Sequence, residues 1–564
     1  MTTRHEALEI PEILRRISSY LPGPDFTSCL QTCRSFHTVL SPLLYSTLTL
    51  CPKDDKRPSP EAVLKYIHLI GHIKFDFFIS TQYLRLGFKN LHSITISNRW
   101  APEKKDYQFK KDGIDSEILE ALLLVIRENP ALRKWTLYNP SPRPSDKVWR
   151  ELSSLKKTDP PAGGQPVPLL PGQNRGIDIL DISHISVTQD AKLWFLRACA
   201  DARELRVCSV SFMVAGGKPD NCQLFLRPPQ GRKVEMVDVK GYNVIEQLMF
   251  LSHFVEAQSI TWMSPVAGQM PIQTLPLPTL ADLKQIIKPT TWPKLRALNL
   301  TRSSGQHIVK FSDECIAHIL DCLPEHQLEE FKLQGSTFGP LGAKALKTQL
   351  PCLKDLRLEP DGIDGQSELI QEVMESCPKL KVLRAGMFSV RHMRQGKPWI
   401  CHGLKELAVH VDLESDRDGA AIDKKVHKDP AYWSKYSSSR RYVFEKIGKL
   451  TELVELDTSM PINNSQRGMS YISLSRLYRD PYWTLDYQLP HGLEELAELK
   501  KLEKLDFSNT LQDILQTDLE WMLENWPRLN MVTGDLYWKA DRQKKLAAFL
   551  LENGIQIGRS RGNK

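Results

Sequence analysis

The apolar residues between Leu8 and Tyr45 recur at helical spacing in three short runs. Pro11 suits the first turn of a helix, the Leu21-Pro22-Gly23-Pro24 stretch ends it, and Asp25 is a natural N-cap for the next one. Three such short helices bury too little area to be stable alone, so we expect them to pack against a following domain or a partner. The three apolar stripes are Ile13, Leu14, Ile17 and Leu21; Phe26, Cys29, Leu30 and Cys33; and Phe36, Val39, Leu40, Leu43 and Leu44.

A second pattern recurs along the rest of the chain. A helix-like stretch ends in proline, and a strand-like run follows in which a leucine precedes two alternating apolar residues, as at Pro130–Leu137, Pro293–Leu300 and Pro351–Leu358. The first leucines of consecutive runs, at 328, 353, 380 and 404, are separated by 25, 27 and 24 residues. A period of about 20–29 residues with this spacing is typical of leucine-rich repeats, in which each unit buries its apolar face only by stacking on its neighbours.

These two patterns predict an α/β protein. A three-helix segment at residues 1–50 precedes an irregular solenoid at 51–540, with short parallel strands on the concave side and helices on the convex side. Pro-rich, Gly-rich or charge-rich stretches predict insertions near 159–176, 264–290, 413–441 and 460–490. Residues 541–564 are predicted to form a capping helix and a flexible basic tail.

The segment Asp25–Phe36 resembles the centre of an F-box, in which an Asp-Leu pair is followed by a Val-Cys-Lys-x-Trp-like run. Three positions depart from that pattern. Glu9 stands where the family has a proline, Thr32 replaces valine, and Phe36 replaces tryptophan. The resemblance implies an adaptor-binding face, for which the candidate residues are Leu8, Pro11, Ile13, Leu14, Ile17, Phe26, Cys33, Phe36 and Tyr45.

The F-box-like segment and the repeats near the end of the chain together make it similar to fungal F-box/leucine-rich-repeat proteins. That resemblance implies the substrate-recognition subunit of a cullin-type (SCF) ubiquitin ligase. Its F-box would dock on a Skp-type adaptor, and through it on a cullin, while the repeats would hold an unknown target protein. Such a receptor performs no chemistry. It raises the effective concentration of the target beside the ubiquitin-carrying enzyme.

Composition sets the expected compartment. The 564 residues are 41% hydrophobic and 25% charged, as in an ordinary globular protein. The eleven cysteines are odd in number and form no Cys-x-x-Cys pair, so neither a disulfide framework nor a zinc site is expected. The N-terminus lacks an apolar signal region, and the apolar run Ala121–Ile126 is far shorter than a membrane span. We therefore expect a cytoplasmic or nuclear protein with no membrane partner.

No catalytic motif appears in the sequence. The two glycine patterns that bind phosphate groups, Gly-x-x-x-x-Gly-Lys-Ser/Thr and Gly-x-Gly-x-x-Gly, are both absent, and no set of residues has the complete spacing of a metal site. We therefore expect no enzymatic activity, no metal and no cofactor. Two alternatives to the ligase subunit stay open. A ligase-independent scaffold follows if the departures at Glu9 and Phe36 weaken adaptor binding. A nucleic-acid binder, suggested by a pI near 8.8, a net charge of +8 and pairs such as Lys424-Lys425 and Arg440-Arg441, ranks last because acidic residues are interleaved with the basic ones.

Overall fold

The structure is a computed structural model that divides into two compact units, residues 1–257 and 258–564. We describe each unit by itself. The residues that the structure describes are 14, 16–17, 20, 23–32, 34–50, 58–76, 80–97, 116–138, 145–155, 177–212, 231–237, 239, 244–264, 279–302, 311–359, 366–413, 430–459, 485–510, 512–537 and 539–558.

The strands of the first unit form a parallel sheet. Each strand pairs with the next one of the sheet in the order β1, β2, β3, β4, β5, β7, β9, while β6 and β8 pair separately, also in parallel. The strands are β1 (Thr47–Leu50), β2 (His72–Phe75), β3 (Ser93–Ser97), β4 (Lys134–Tyr138), β5 (Ile179–Ser183), β6 (Ser186–Val187), β7 (Glu204–Cys208), β8 (Ser211–Phe212) and β9 (Lys233–Val237).

Helices lie between most consecutive strands of this sheet, as expected for parallel pairing, whereas between β7 and β9 the described residues contain only β8. Ahead of β1, Leu14, Arg16 and Ile17 are helical, and two further helices follow, while most of the predicted first helix lies outside the described residues. The helices of this unit are Gly23–Leu30, Arg34–Tyr45, Pro60–Tyr66, Thr81–Leu84, Ser116–Glu128, Asp146–Ser154, Gln189–Asp201 and Val244–Ser252, with a 3-10 turn at Ile67–Leu69.

The second unit repeats the same plan with strands that pair in strict chain order, all parallel. They are β10 (Ser259–Ser264), β11 (Ala297–Arg302), β12 (Glu330–Gln334), β13 (Asp355–Glu359), β14 (Val382–Ser389), β15 (Glu406–Asp412), β16 (Glu455–Asp457), β17 (Lys504–Asp506), β18 (Met531–Thr533) and β19 (Gln556–Gly558). The helices are Leu280–Ile286, Asp313–Asp321, Pro340–Leu346, Ser367–Ser376, Val390–Gln395, Pro430–Gly448, Gln516–Asn525 and Ala540–Glu552, with 3-10 turns at Lys347–Cys352, Leu489–His491 and Leu493–Leu496.

The predicted leucines hold each repeat together. Leu353, just before β13, and Leu356 and Leu358 within it are each at most 1% exposed. Arg357, which lies between the two strand leucines, points away from the core. Register keeps equivalent positions aligned, because Leu356 pairs with Phe331 on one side and with Leu383 on the other. The α/β class and the parallel repeat strands are therefore confirmed in each unit.

Two predicted insertions contain more regular structure than expected. The helix Leu280–Ile286 lies within 264–290, where Thr279 and Asp282 cap it reciprocally: Asp282 N donates to Thr279 Oγ1 at 3.2 Å, and Thr279 N donates to Asp282 Oδ2 at 2.9 Å. The helix Pro430–Gly448 begins within 413–441 and extends past it, because its buried Val443, Phe444 and Ile447 pack into the unit. The insertions predicted at 159–176 and, up to residue 484, at 460–490 lie outside the described residues.

Candidate protein-binding surfaces

The segment ahead of β1 is a pair of packed helices with an additional helical stretch. Helix Gly23–Leu30 packs against helix Arg34–Tyr45. Between them, the hydroxyl of Thr32 donates to the carbonyl of Cys29 at 2.7 Å and closes the turn. Ser41 is buried and lies 3.4 Å from Nδ1 of His37, one turn earlier on the same helix. The helix Arg34–Tyr45 also contacts β1, so it joins the segment to the first repeat.

The structure separates the predicted adaptor-face residues into different environments. Leu14 is 1% exposed and belongs to the core, whereas Ile17 is 38% exposed. Phe36 and Tyr45 are half-buried. Phe26 lies in helix Gly23–Leu30, but its side chain is not described. Leu8, Pro11, Ile13 and Cys33 lie outside the described residues.

Three large apolar side chains of this segment face solvent. Besides Ile17, Tyr20 is 79% exposed and Leu43 is 39% exposed. Leu40, only three positions before Leu43 on the same helix, is 1% exposed. The sequence pattern placed Leu40 and Leu43 in one stripe and did not include Tyr20 at all. Exposed apolar side chains in one short segment make it a candidate protein-binding surface.

The segment meets the first repeat through a direct aromatic contact. The rings of Tyr45 and Tyr66 stack with centroids 3.8 Å apart and planes 5° from parallel, and the ammonium group of Lys65 lies 5.3 Å from the centre of the Tyr66 ring. Burial, followed by the hydrogen bond and the charge interaction with Tyr66, raises the pKa of Tyr45. The carbonyl of Ser46 accepts hydrogen bonds from the N–H groups of Gly71 and His72, both at 2.9 Å. No sequence pattern predicts this junction, because the two tyrosines belong to different elements.

A second candidate surface is the face of strands β12–β17 that points away from the core. Its acidic residues occupy one register position of neighbouring strands, most of its basic residues lie two residues later, and the two rows are ion-paired with each other. Lys332 on β12 lies 3.0 Å from Asp355 on β13, and Arg357 on β13 reaches Glu406 on β15 at 3.6 Å. We call this set the charged ladder, and its members are Glu330, Lys332, Asp355, Arg357, Arg384, Glu406, Glu455 and Lys504.

The centre of the charged ladder is its least exposed part. Arg384 pairs with both Glu406 and Glu455, and their side chains are 17%, 16% and 21% exposed, respectively. Burial lowers the pKa of Arg384, but the two carboxylates outweigh it, so the pKa is raised overall. A patch whose charges already satisfy one another has little net charge. It favours a partner that matches its geometry over one that is merely charged.

Buried polar residues form a cluster beside the charged ladder, toward the carboxyl ends of β15–β17. The hydroxyl groups of Thr458 and Tyr487 lie 2.8 Å apart, and both residues are buried. His410 is 8% exposed, and its Nδ1 has no hydrogen-bond partner within the described part of the chain. Burial has the largest effect on the pKa of His410 and lowers it. The imidazole is therefore neutral in the folded protein at neutral pH. This cluster is part of the scaffold and not an accessible site.

The described residues hold no group of three or more His, Cys, Asp or Glu side chains that could bind a metal ion. Burial raises the pKa of Cys377 and of Cys401 to about 12, so neither forms a thiolate readily at neutral pH. None of the helices in the described ranges is both long and apolar enough to cross a bilayer.

Comparison with known proteins matches residues 11–51 to the family model described as F-box-like. No curated protein matches the chain. Similar solved structures include an internalin from Listeria monocytogenes, with 10% identity over 90% of this chain and 94% of that chain at a TM-score of 0.36. A leucine-rich-repeat protein from Leptospira interrogans has 12% identity over 88% and 97% at a TM-score of 0.30. The Rad7 and Elc1 complex in yeast has 13% identity over 75% and 97% at a TM-score of 0.31. These TM-scores are low, and we draw no argument from them.

Proposed function

We propose that this chain, in which an F-box-like segment precedes leucine-rich repeats, is the substrate-recognition subunit of a cullin-type ubiquitin ligase. The observation that carries the proposal is the F-box-like match at residues 11–51, which coincides with the solvent-facing Ile17, Tyr20 and Leu43. These side chains supply the apolar surface that a Skp-type adaptor would cover. Burying each of them on binding would contribute about 1–2 kcal/mol before the costs of association.

In this role the chain itself transfers no ubiquitin and needs no cofactor. The adaptor links the F-box-like segment to a cullin, and the repeats hold the target protein. Binding energy is converted into proximity, because a tethered target meets the ubiquitin-carrying enzyme at a far higher effective concentration than a free one. We expect the complex to act in the cytoplasm or nucleus, where cullin-type ligases would meet such targets.

The outward face of the repeats is our candidate for the target-binding surface. The charged ladder runs across neighbouring strands β12–β17, and its side chains are held in place by their own ion pairs. A surface that is ordered before binding loses less side-chain entropy on association. It would therefore contribute specificity more than affinity.

Co-purification tests the adaptor part of the proposal. Full-length Ile17→Asp and Leu43→Asp variants should fold normally, because both side chains are already exposed, and should lose the Skp-type adaptor and the cullin. Leu64→Asp is a matched control, since Leu64 is 48% exposed but lies beyond the segment, on helix Pro60–Tyr66. Adaptor retained at the wild-type level by both segment variants would contradict the proposal.

A ligase-independent scaffold is the second candidate, favoured by Glu9 and Phe36, which depart from the F-box pattern. It predicts that wild-type protein purified from cells carries target proteins but neither adaptor nor cullin. Mass spectrometry of the proteins retained by the full-length chain separates the two functions.

A further inference from the structure

A row of lysines crosses the amino ends of three adjacent strands of the second unit. The residue just before β13, β14 and β15 is a lysine each time: Lys354, Lys381 and Lys405. Their backbones are direct neighbours, because Lys381 N donates to the carbonyl of Lys354 and Lys405 N donates to that of Lys381, both at 2.8 Å. Strand spacing therefore sets the backbones of these three lysines about 4.8 Å apart along the row. Lys379, two residues before Lys381, adds a fourth ammonium group.

Most of this charge is not neutralised. Lys354 donates to Glu329 at 2.7 Å, but Lys379, Lys381 and Lys405 are exposed, and none of them forms an ion pair in the described ranges. The acidic groups that face the row are Glu329 and Glu452. The pKa of Glu329 is lowered mainly by Lys354, with a smaller effect of Lys379. The pKa of Glu452 is lowered mainly by Lys501, with a smaller effect of Lys405.

The nearest carboxylates on the strands themselves already have partners. Asp355 lies one residue after Lys354 and pairs with Lys332 at 3.0 Å and with Arg357 at 2.9 Å. Glu406 lies one residue after Lys405 and pairs with Arg384 and Arg357. The charged ladder thus uses the acidic residues that could otherwise balance the lysine row. The ammonium groups of lysines on adjacent strands repel one another, and a bound polyanion would reduce that repulsion.

We propose that the row formed by Lys354, Lys379, Lys381 and Lys405 binds an extended acidic segment of a partner protein. This deepens the proposed function, on which it rests, because it names the chemical class of the target that the repeats hold. The row is linear and continuous with the charged ladder, so an acidic strand laid across it would contact both surfaces. Carboxylates are matched to it by charge, and lysine ammonium groups can follow their positions because the side chain is flexible.

A single-stranded nucleic acid is the competing polyanion, and the surface fits it less well. Proteins that bind single strands combine a basic groove with exposed aromatic rings on which the bases stack. Among the side chains whose exposure the structure describes, the large aromatic ones that face solvent are Tyr20 and Tyr138, both of which belong to the first unit. Within that set of side chains, no stacking platform accompanies the lysine row.

Fluorescence anisotropy with the purified full-length chain tests the inference. The probe is a short labelled peptide in which glutamate alternates with small residues, and its glutamine counterpart is the negative probe. The triple variant Lys379→Gln, Lys381→Gln, Lys405→Gln should weaken binding of the acidic peptide by about tenfold, because it removes exposed charges without disturbing the core. Added salt should weaken wild-type binding and affect the variant much less.

A matched variant controls for net charge. Lys89, Lys544 and Lys545 are also exposed and lie elsewhere, so their replacement by glutamine removes the same charge and should leave peptide binding unchanged. Equal affinity of the row variant and the wild type would overturn the inference. So would a labelled single-stranded oligonucleotide that binds through the same lysines more tightly than the peptide. The assay contains no adaptor, so a negative result here and a failed adaptor co-purification are separate outcomes.

Discussion

Arg384 on β14 donates a hydrogen bond to Glu455 on β16 at 2.9 Å, although β15 lies between the two strands. The same guanidinium also pairs with Glu406 on the intervening strand. One side chain therefore ties three consecutive repeats together on the outward face of the sheet. Parallel repeats are otherwise linked mainly to their immediate neighbours, so this contact extends the range over which they are coupled.

Replacing Arg384 by glutamine should lower the free energy of unfolding by about 2 kcal/mol, because two poorly exposed carboxylates lose their shared cation. Lys504→Gln is the control. Its 3.8 Å pair with Glu455 is more exposed and should cost under about 1 kcal/mol. Urea denaturation followed by circular dichroism measures both variants. Equal losses would show that Arg384 does not couple the repeats.

Asn129 should be a strong determinant of stability in the first unit. Its side chain is fully buried and makes three hydrogen bonds: it donates to the carbonyls of Phe88 and Val125 at 2.8 and 2.7 Å, and it accepts from Leu91 N at 2.7 Å. Asn129→Ala leaves buried backbone groups unsatisfied and should cost about 2–4 kcal/mol.

The neighbouring Asn90 provides a comparison for that variant. It is exposed and makes one hydrogen bond, to the carbonyl of His68 at 3.0 Å. Asn90→Ala should therefore change the thermal midpoint very little. A similar loss of stability in the two alanine variants would mean that burial of the asparagine does not decide the effect.

Substitution of Leu40 should mainly reduce stability, whereas substitution of Leu43 should mainly reduce adaptor binding. Leu40→Ala opens a cavity in the core and should destabilise the chain by about 2–4 kcal/mol, since this side chain is 1% exposed. Leu43→Ala should cost under about 1 kcal/mol, yet it should reduce the adaptor retained in co-purification. Thermal unfolding and quantitative pull-down of the same two preparations test the pair. Loss of adaptor only with Leu40→Ala would remove Leu43 from the interface.

Stability should fall as the pH is lowered below about 6.5. Burial lowers the pKa of His410, and the charge of Asp412 and a backbone hydrogen bond with Thr458 oppose it only in part. The unfolded state, in which histidine titrates near 6.5, therefore binds a proton before the folded state does, and acid favours unfolding. Burial also lowers the pKa of His72 and of His253, so these residues add to the effect in the same direction.

The share of His410 in this pH dependence can be isolated. His410→Gln should make the decline of the thermal midpoint between about pH 7.5 and 5.5 shallower than in the wild type. His402→Gln, at an exposed position, should leave the slope unchanged. An unaltered slope for His410→Gln would contradict the assignment.

The buried leucines of the repeats could be predicted because their spacing within each repeat is enough to identify them. Leu328, Leu353, Leu380 and Leu404 all enter the core, and each is completely buried. The spacing of such residues reports the strand and its inward face without any knowledge of neighbouring repeats. The register that pairs Leu356 with Leu383 then follows from stacking equivalent positions.

The surfaces were less predictable because they depend on neighbours that are distant in sequence. Arg384 and Glu455 meet across 71 positions, and nothing in either local sequence distinguishes them from ordinary outward-facing charges. In the F-box-like segment, helical spacing placed Leu14 and Ile17 in one apolar stripe. It could not tell that the first is core and the second is surface, because that depends on which side of the helix its neighbours cover.

The stacked rings of Tyr45 and Tyr66, together with the hydrogen bonds to Ser46, join the F-box-like segment directly to the first repeat. A partner bound to that segment is thereby held at a set angle to β1. A glycine-serine spacer inserted after Tyr45 would replace one orientation by many, and in the proposed ligase ubiquitin would then reach a wide arc of the target instead of a narrow zone of it.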